Sequence, residues 1–290
     1  MKIFSDFDTS VDSDQVASQL SLIKASMPQA EDKEVLKKIF SLIDLTTLSE
    51  KDNLVNVTGM CEKVNLLTEA FPSMPAVAAI CVYPELVSVV KEKLDNPLVS
   101  IASVGGGFPA SQTFTNIKVM EIEQAIGMGA EEIDIVLPVG KFLQEEYEYV
   151  EYEIQVIKER IGTVHLKVIL ETGSLRDYSL IRKASLLSIA AGANFIKTST
   201  GKISPGATPE AMIIMCKAIL DYYNKTGKKI GIKPAGGISD PSTALLYYAI
   251  VKEILGESWL DSERFRIGAS GLANGILASV FDQGPDFGYF

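Results

Sequence analysis

The sequence predicts a (β/α)8 barrel, also called a TIM barrel. Short apolar runs rich in Val, Ile and Leu alternate with stretches of helical spacing, and one cycle takes about 30 residues. Several of the eight runs are continuously apolar, as expected of parallel strands covered on both faces. The alternative is an open doubly wound sheet of about six strands, but the count of eight favours the barrel. The predicted strands are 42–45, 78–82, 99–104, 133–137, 166–170, 195–198, 230–233 and 265–268.

Helices are predicted between the strands, because apolar residues three and four positions apart recur in several connections. Thr208 followed by Pro209, and Asp240 followed by Pro241, have the form of a helix N-cap and a proline in the first helical position. No Pro- or Gly-rich linker divides the chain. Residues 41–290 are therefore predicted to form a single (β/α)8 domain.

Residues 1–40 are predicted to be an N-terminal helical extension. Their apolar positions indicate one or two amphipathic helices with acidic outer faces. These positions are Val16, Leu20, Ile23, Leu36 and Ile39. The segment holds no recognisable catalytic constellation, so we expect the chemistry to lie in the barrel.

Composition and charge exclude several classes of function. The net charge of −10 makes a broad nucleic-acid surface an unfavourable hypothesis, and an anionic ligand would need positive charge supplied locally. The three cysteines are scattered and odd in number, which argues for a reducing compartment, so a cytoplasmic location is expected. No apolar run approaches the ~20 residues of a membrane span. Since His165 is the only histidine, a three-histidine zinc site cannot be built within one chain.

Lys197 in the sixth predicted strand is a candidate catalytic residue. A lysine in mid-strand is unfavourable unless it lies on an edge strand and points to solvent, or faces a polar pocket. Asp134, Lys167 and Lys233 occupy similar positions in the fourth, fifth and seventh strands. Four ionisable residues on successive strands are costly unless they share a polar pocket. The pattern therefore predicts that these side chains meet inside the barrel.

Such a pocket has two interpretations. Two lysines on adjacent strands can lower each other's pKa, and a neutral lysine is the nucleophile of Schiff-base chemistry. A carboxylate such as Asp134 can then shuttle protons. The other interpretation is a buried Asp–Lys salt-bridge network that holds the barrel together, and the residue pattern by itself leaves both open.

The loops after strands seven and eight predict a phosphate site. Gly236 and Gly237 follow strand seven, and Gly268 and Ser270 lie at the end of strand eight. Their small size lets backbone N–H groups approach a phosphate closely, as in many barrels. Lys202, just past strand six, can add positive charge. A Gly-Gly pair alone can also be an ordinary turn, so the signal comes from the two loops together with the lysine.

Seven stretches carry a more specific signal. They are IDLTTL (43–48), AAICVYP (78–84), EEIDIVLP (131–138), LKVILETG (166–173), GANFIKTSTGK (192–202), GIKPAGGIS (231–239) and FRIGASGL (265–272). In this order they resemble the deoxyribose-phosphate aldolase family of class I aldolases, over all predicted strands except the third. The resemblance implies a lyase that reversibly cleaves 2-deoxy-D-ribose 5-phosphate to D-glyceraldehyde 3-phosphate and acetaldehyde through a lysine Schiff base. It implies no metal ion and no organic cofactor.

The resemblance also implies a role for each matched residue. Lys197 would form the Schiff base, Lys233 would be the second lysine that perturbs it, and Asp134 would relay protons. Asp44 would lie close to the substrate hydroxyl. The other implied substrate- and phosphate-binding residues are Thr46, Gly201, Lys202, Gly236, Gly237, Ser239, Gly268 and Ser270. Expected partners are sugar phosphate and aldehyde substrates and a second copy of the chain in a homodimer, with no nucleic acid and no membrane.

The chain departs from the family pattern at three loop positions. Ser239 stands where the family often has a basic residue, Gly271 where it often has a second serine, and Ser111 where it usually has a glycine. The first two departures concern phosphate binding and predict weaker discrimination in favour of phosphorylated substrates. Two other functions stay open: a Schiff-base aldolase for another sugar phosphate, and a catalytically silent sugar-phosphate-binding barrel.

The C-terminal residues 284–290 have two interpretations as well. Chain ends are usually frayed, but Phe287, Tyr289 and Phe290 are an unusual apolar load for a solvated tail. Glycines in this segment permit hinge motion. The family's tail similarly ends in a tyrosine that can fold over the active site, which implies a proton-transfer role for Tyr289.

Overall fold

Parallel strands form one sheet that closes on itself. The computed structural model describes residues 2–27, 32–284 and 287–290. The strands of these residues are β1 (Ile43–Thr46), β2 (Ala79–Val82), β3 (Ser100–Gly105), β4 (Glu132–Val136), β5 (His165–Ile169), β6 (Phe195–Lys197), β7 (Gly231–Lys233) and β8 (Ile267–Ala269). They pair in the order β7-β6-β5-β4-β3-β2-β1-β8. Parallel bridges from Ile232 to Phe265 and from Ala235 to Gly268 join β7 to β8.

The predicted barrel is confirmed, and the open sheet is wrong. All eight predicted strands are present, and no strand end is displaced by more than two residues. Asp44 in β1 pairs with Ala79 of β2 on one side and with Gly268 of β8 on the other. The first and last strands are therefore neighbours, as closure requires. Since all strands run the same way, their carboxyl ends meet at one rim, where barrel active sites are found.

Helices cover the outside of the barrel. Two of the predicted N-caps are confirmed: Thr208 accepts a hydrogen bond from the backbone of Ala211 at 3.2 Å, and Asp240 accepts one from the backbone of Thr243 at 2.9 Å. Among the helices of the described residues, none combines the length and the apolar character that a membrane crossing requires. The helices are α1 (Lys2–Asp6), α2 (Ser13–Ser26), α3 (Lys33–Phe40), α4 (Leu54–Asn65), α5 (Leu67–Ala70), α6 (Val87–Lys93), α7 (Thr115–Gly127), α8 (Val139–Leu143), α9 (Tyr147–Ile161), α10 (Tyr178–Ala190), α11 (Pro209–Thr226), α12 (Pro241–Leu255) and α13 (Leu272–Val280).

The N-terminal helices pack on the outer helices of the barrel. Helix α2 lies against α11 and α12, and α3 lies against α12 and α13. Each of these two helices buries the apolar positions that the sequence singled out, and the short helix α1 precedes them. A hydrogen bond also joins the N-terminal segment to α10, since Arg182 Nε donates to the carbonyl of Asp8 at 2.6 Å. Residues 28–31 of the predicted extension lie outside the described residues, and the boundary at residue 40 remains a prediction.

The inside of the barrel is apolar on one side and charged on the other. Strands β2 and β3 contribute a buried cluster of small apolar side chains, Ala79, Cys81, Ala102 and Val104. Strands β1, β4, β5, β6 and β7 contribute buried ionisable side chains, and Arg266 adds one directly before β8. Because side chains alternate along a strand, residues two apart on one strand stack in successive layers inside the barrel. The buried ionisable side chains therefore lie inside the barrel, below the rim formed by the carboxyl ends of the strands.

Candidate active site

Lys197 ends β6 with its side chain inside the barrel. Only 2% of the residue is exposed, and its Nζ donates to Asp134 Oδ2 at 2.8 Å. Strand β6 lies between β5 and β7, with Lys197 paired to Ile169 and Lys233. The edge-strand interpretation, in which this lysine points to solvent, is therefore wrong.

Lys233 on β7 shares the carboxylate that holds Lys197. Its Nζ donates to Asp134 Oδ2 at 2.8 Å and lies 2.5 Å from Asp44 Oδ2. All three of these residues are fully buried. Gly268 leaves room for the lysine, because a Cβ at that position would lie 3.1 Å from Lys233 Cε. Asp44 thus lies against Lys233 in the barrel interior.

A second layer of charges lies next to Asp134 and Asp44. Lys167 Nζ donates to Glu132 Oε2, and it also donates to Asp134 Oδ1 at 3.1 Å. The Arg266 guanidinium donates from Nη2 to Glu132 Oε1 at 2.8 Å and from Nη1 to Asp44 Oδ1 at 2.7 Å. The salt-bridge network that the sequence left open is therefore present, and Lys197 belongs to it.

Glu132 and Arg266 were not among the predicted site residues. Strand periodicity could have found both, because Glu132 precedes Asp134 by two positions and Arg266 precedes Gly268 by two. Residues at that spacing face the same side of the sheet.

The amine of Lys197 has a pKa below its ordinary value. Burial is the largest cause, because it penalises the charged form. The Asp134 carboxylate acts in the opposite direction, and repulsion from the Lys233 ammonium again lowers the pKa. Lys197 is thus the lysine of this cluster that is disposed to be neutral.

The other two lysines keep their charge. Burial by itself would lower the pKa of Lys233, but Asp134 and Asp44 raise it above its ordinary value. Burial would likewise lower the pKa of Lys167, but Asp134 and Glu132 outweigh it. The expected lowering of both lysines on adjacent strands is therefore realised only at Lys197. For Asp134, burial alone would raise the pKa, but the three lysines hold it well below the usual range.

A cavity of about 520 Å³ opens at the carboxyl ends of the strands. The structure brings together here most of the predicted substrate- and phosphate-binding residues. The predicted residues that line the cavity are Thr46, Lys197, Gly201, Lys202, Gly236, Gly237, Ser239, Gly268 and Ser270. Asp44, Asp134 and Lys233 are fully buried and do not line it. Lys197 is the member of the charged cluster that reaches the cavity.

Close backbone packing fixes the loops after β6 and β7. Gly206 lies so near the next loop that a Cβ there would be 2.4 Å from the Gly236 carbonyl oxygen. Gly236 itself has φ +87°, a conformation that favours glycine. The loop after β6 is also held to the segment that follows β5, since the Thr200 hydroxyl donates to Glu171 at 2.6 Å. Lys202 Nζ donates to the carbonyl of Leu48 across the cavity mouth.

Tyr289 lies apart from the cavity. Its hydroxyl donates to the Lys63 carbonyl at 2.8 Å, and its backbone N–H donates to the Asn274 side chain at 2.9 Å. Its ring packs edge-on against Phe71. These contacts hold the end of the chain between α4 and α13, outside the barrel. The proton-transfer role of Tyr289 therefore stays a prediction that requires the tail to move. Residues 285 and 286 of this segment are outside the described residues.

This arrangement is suited to amine chemistry on a carbonyl group. A buried lysine of lowered pKa at the inner end of a polar cavity can attack an aldehyde carbon. A carboxylate in direct contact with that lysine can move protons to and from the adduct. The glycine-rich loops and Lys202 at the other wall can hold an anionic group.

Comparison with known proteins agrees with this geometry. The family model "DeoC/LacD family aldolase" matches residues 38–275. The chain is 41% identical to the deoxyribose-phosphate aldolase of Homo sapiens and 40% identical to that of Mus musculus, in each case over 85% of this chain and 80% of the relative. A solved structure titled "QR15, an Aldolase" superposes with a TM-score of 0.68 at 27% identity, covering 85% of this chain and 99% of the other. The chain belongs to the DeoC/LacD family of aldolases.

Proposed function

We propose that this protein is a deoxyribose-phosphate aldolase that uses Lys197 as its Schiff-base lysine. It cleaves 2-deoxy-D-ribose 5-phosphate to D-glyceraldehyde 3-phosphate and acetaldehyde, and it also runs the reverse addition. The observation that carries the proposal is that Lys197 alone among the buried lysines of the barrel lines the cavity, with Asp134 in contact at 2.8 Å. The names of the mammalian relatives support the choice of substrate.

Cleavage begins when the neutral Lys197 amine adds to the C1 aldehyde carbon of the open-chain sugar. Loss of water from the carbinolamine gives a protonated imine, which acts as the electron sink. Removal of the proton from the C3 hydroxyl then lets the C2–C3 bond break, and its electron pair moves to the imine as an enamine. Glyceraldehyde 3-phosphate leaves, the enamine is protonated at C2, and water releases acetaldehyde from the lysine.

Asp134 is the proposed proton relay for these steps. Its Oδ2 contacts both Lys197 Nζ and Lys233 Nζ at 2.8 Å, so it can pass protons on the side of the imine nitrogen. Lys233 stays charged and thereby opposes protonation of its neighbour. Because Asp44 is buried against Lys233, the proposed contact of Asp44 with a substrate hydroxyl would be made through water or after a shift of its carboxylate.

The phosphate is proposed to lie against the loops after β7 and β8. Gly236, Gly237 and Ser270 line that wall of the cavity, and α13 begins directly after it at Leu272. A helix N-terminus presents N–H groups and a partial positive charge to an anion. Lys202 would exchange its contact with the Leu48 carbonyl for the phosphate.

The first test is chemical trapping. Borohydride reduction in the presence of acetaldehyde should attach an ethyl group to one lysine, and peptide mapping should find it on Lys197. Lys197→Arg should abolish both labelling and turnover, since arginine cannot form the imine. Label on Lys167 or Lys233, or retained turnover in the variant, would contradict the proposal.

The same experiment separates the alternatives. A silent sugar-phosphate-binding barrel would bind deoxyribose 5-phosphate but form no reducible adduct. A Schiff-base aldolase for another sugar phosphate would be labelled at Lys197 but would release no acetaldehyde from deoxyribose 5-phosphate. The homodimer and the cytoplasmic location remain predictions, to be tested by sedimentation velocity and by imaging of a tagged chain.

A further inference from the structure

The charges inside the barrel do not balance when every group is ionised. Among the described residues, the network around Asp134 contains three carboxylates, those of Asp44, Glu132 and Asp134. It contains four basic side chains that carry charge, those of Lys167, Lys197, Lys233 and Arg266. His165, 4.0 Å from Glu132, and Cys81, beside Lys197 and Lys233, are counted as neutral, because burial lowers the pKa of the imidazole and raises that of the thiol. All seven residues are at most 3% exposed. The network is neutral only when one of the four bases gives up its proton.

Arg266 cannot be that base, because a guanidinium stays protonated in proteins. It is 2% exposed and holds Glu132 with two donors, Nη2 to Oε1 at 2.8 Å and Nη1 to Oε2 at 3.2 Å. The same Nη1 donates to Asp44 Oδ1 at 2.7 Å. The guanidinium thus holds Glu132 in the bidentate geometry that makes such pairs strong, and it holds Asp44 by one further hydrogen bond. We call Arg266 and Glu132 the floor pair.

Two chains of contacts lead from the floor pair to the nucleophile. In one, Glu132 holds Lys167, which contacts Asp134 Oδ1 at 3.1 Å. In the other, Arg266 holds Asp44, which lies 2.5 Å from the Lys233 ammonium. Both chains end on the Asp134 carboxylate that contacts Lys197. The floor pair neither lines the cavity nor contacts Lys197, so it acts on the reaction indirectly, through these contacts and through its charge.

We propose that Arg266 and Glu132 are positioning residues of the Schiff-base site, which fix the internal charge of the barrel so that Lys197 is the base left without a carboxylate of its own. This inference rests on the proposed function. Lys167 has three carboxylate partners and Lys233 has two, whereas Lys197 shares one oxygen of Asp134 with Lys233. The surplus positive charge is therefore relieved at Lys197.

The two halves of the floor pair should act on Lys197 with opposite signs. Arg266→Met leaves each carboxylate with a lysine partner but removes one positive charge, so Lys197 retains its proton to higher pH. Glu132→Gln removes one negative charge, while Lys167 keeps Asp134 as its partner, so Lys197 loses its proton at lower pH. The double variant removes both charges and should restore the parent behaviour. Each single shift should be on the order of one pH unit, the effect of a unit charge in a partly screened interior.

The experiment measures the rate of borohydride trapping of acetaldehyde on Lys197 as a function of pH. The trapping rate falls on the acid side as Lys197 becomes protonated, and the midpoint of that fall is the quantity compared. The expected result is a higher midpoint for Arg266→Met, a lower one for Glu132→Gln and a midpoint near that of the parent for the double variant. If Arg266→Met does not fold, Glu132→Gln and the double variant still carry the comparison.

Lys118→Met is the matched control. Lys118 and Glu153 form an equally buried ion pair at 2.6 Å between α7 and α9, outside the barrel. Breaking it should lower stability and leave the midpoint unmoved. Single variants of the floor pair that lose rate without opposite shifts, or a double variant that stays displaced, would overturn the positioning role. If the parent protein is not labelled at Lys197, the proposed function fails, and this inference fails with it. Labelled parent protein with unmoved midpoints overturns only the inference.

Discussion

Replacing Lys233 with methionine should raise the pKa of Lys197 by about two units. Both lysine Nζ atoms lie 2.8 Å from the same Asp134 oxygen, so the two nitrogens can be no farther apart than twice that distance, 5.6 Å. At that separation and an effective dielectric of about 20, two unit charges repel by about 3 kcal/mol, which corresponds to about two pKa units. Methionine has a similar length and removes this repulsion.

The same substitution leaves Oδ2 of Asp134 to Lys197 alone, while Oδ1 keeps its contact with Lys167, so the two effects on the pKa of Lys197 have the same sign. Arg266 still holds Asp44 at 2.7 Å, which keeps that carboxylate paired. With a pKa raised by about two units, the neutral fraction of Lys197 at a pH below both values falls by about a hundredfold. The rate should therefore fall by a similar factor near neutral pH and recover toward alkaline pH.

The assay is the pH dependence of acetaldehyde trapping at Lys197, followed alongside kcat/KM for deoxyribose 5-phosphate. Lys229→Met is a suitable control, because it removes an exposed ammonium that lies just before β7 and contacts the exposed Ser258 hydroxyl at 2.9 Å, outside the barrel interior. The reasoning is refuted if the acid-side midpoint of Lys233→Met equals that of the parent while Lys197 is still labelled. Repulsion between the two amines would then not be what keeps Lys197 reactive.

Four further predictions concern the relay, the loops and the tail. Asp134→Asn should lower the rate of cleavage about 10²–10⁴-fold at every pH, because an amide cannot relay protons; recovery at high pH would count against this. Gly206→Ala should displace the Gly236 peptide, since a Cβ would lie 2.4 Å from its oxygen, and should raise KM for the phosphorylated sugar more than for acetaldehyde. Ser239→Arg should increase the preference for deoxyribose 5-phosphate over deoxyribose by roughly tenfold to a hundredfold, the effect of one charge-assisted contact, and an unchanged ratio would show that the loops already suffice. Tyr289→Phe should slow exchange of the acetaldehyde methyl protons and leave trapping unchanged; exchange at the parent rate would leave the hydroxyl only its bond to the Lys63 carbonyl.

The barrel, the ionisable residues within its strands and the glycine-rich loops are predicted by local features of the sequence. Each strand is a short apolar run, and the ionisable residues within those runs stand out because such positions are costly for charge. The glycine-rich loops are also recognisable in the sequence. The structure explains why glycine occurs there, because Gly236 and Gly237 both have φ above +80°. These signals need no knowledge of which strands are neighbours.

The position of the tail could not be predicted in the same way. The aromatic residues at the C-terminus indicate burial, but not the surface against which they are buried. Tyr289 finds its partners on α4 and α13, through Lys63 and Asn274, which are 226 and 15 residues away in sequence. Such a choice depends on the groove that closure of the barrel creates between its first and last outer helices.

The choice of nucleophile also depends on closure. Lys167, Lys197 and Lys233 are equivalent in the sequence, each within a buried strand, and burial lowers the pKa of all three. They differ in the number of carboxylates that neighbouring strands supply. Strands β4 and β1 give Lys167 three carboxylate partners and Lys233 two, and these reverse the effect of burial, whereas Lys197 has only a shared oxygen of Asp134. The reactive lysine in this barrel is therefore the one that has no carboxylate of its own. The sequence cannot show this difference, because it arises only when closure of the barrel at β1 and β8 brings Asp44 and Arg266 into the same interior.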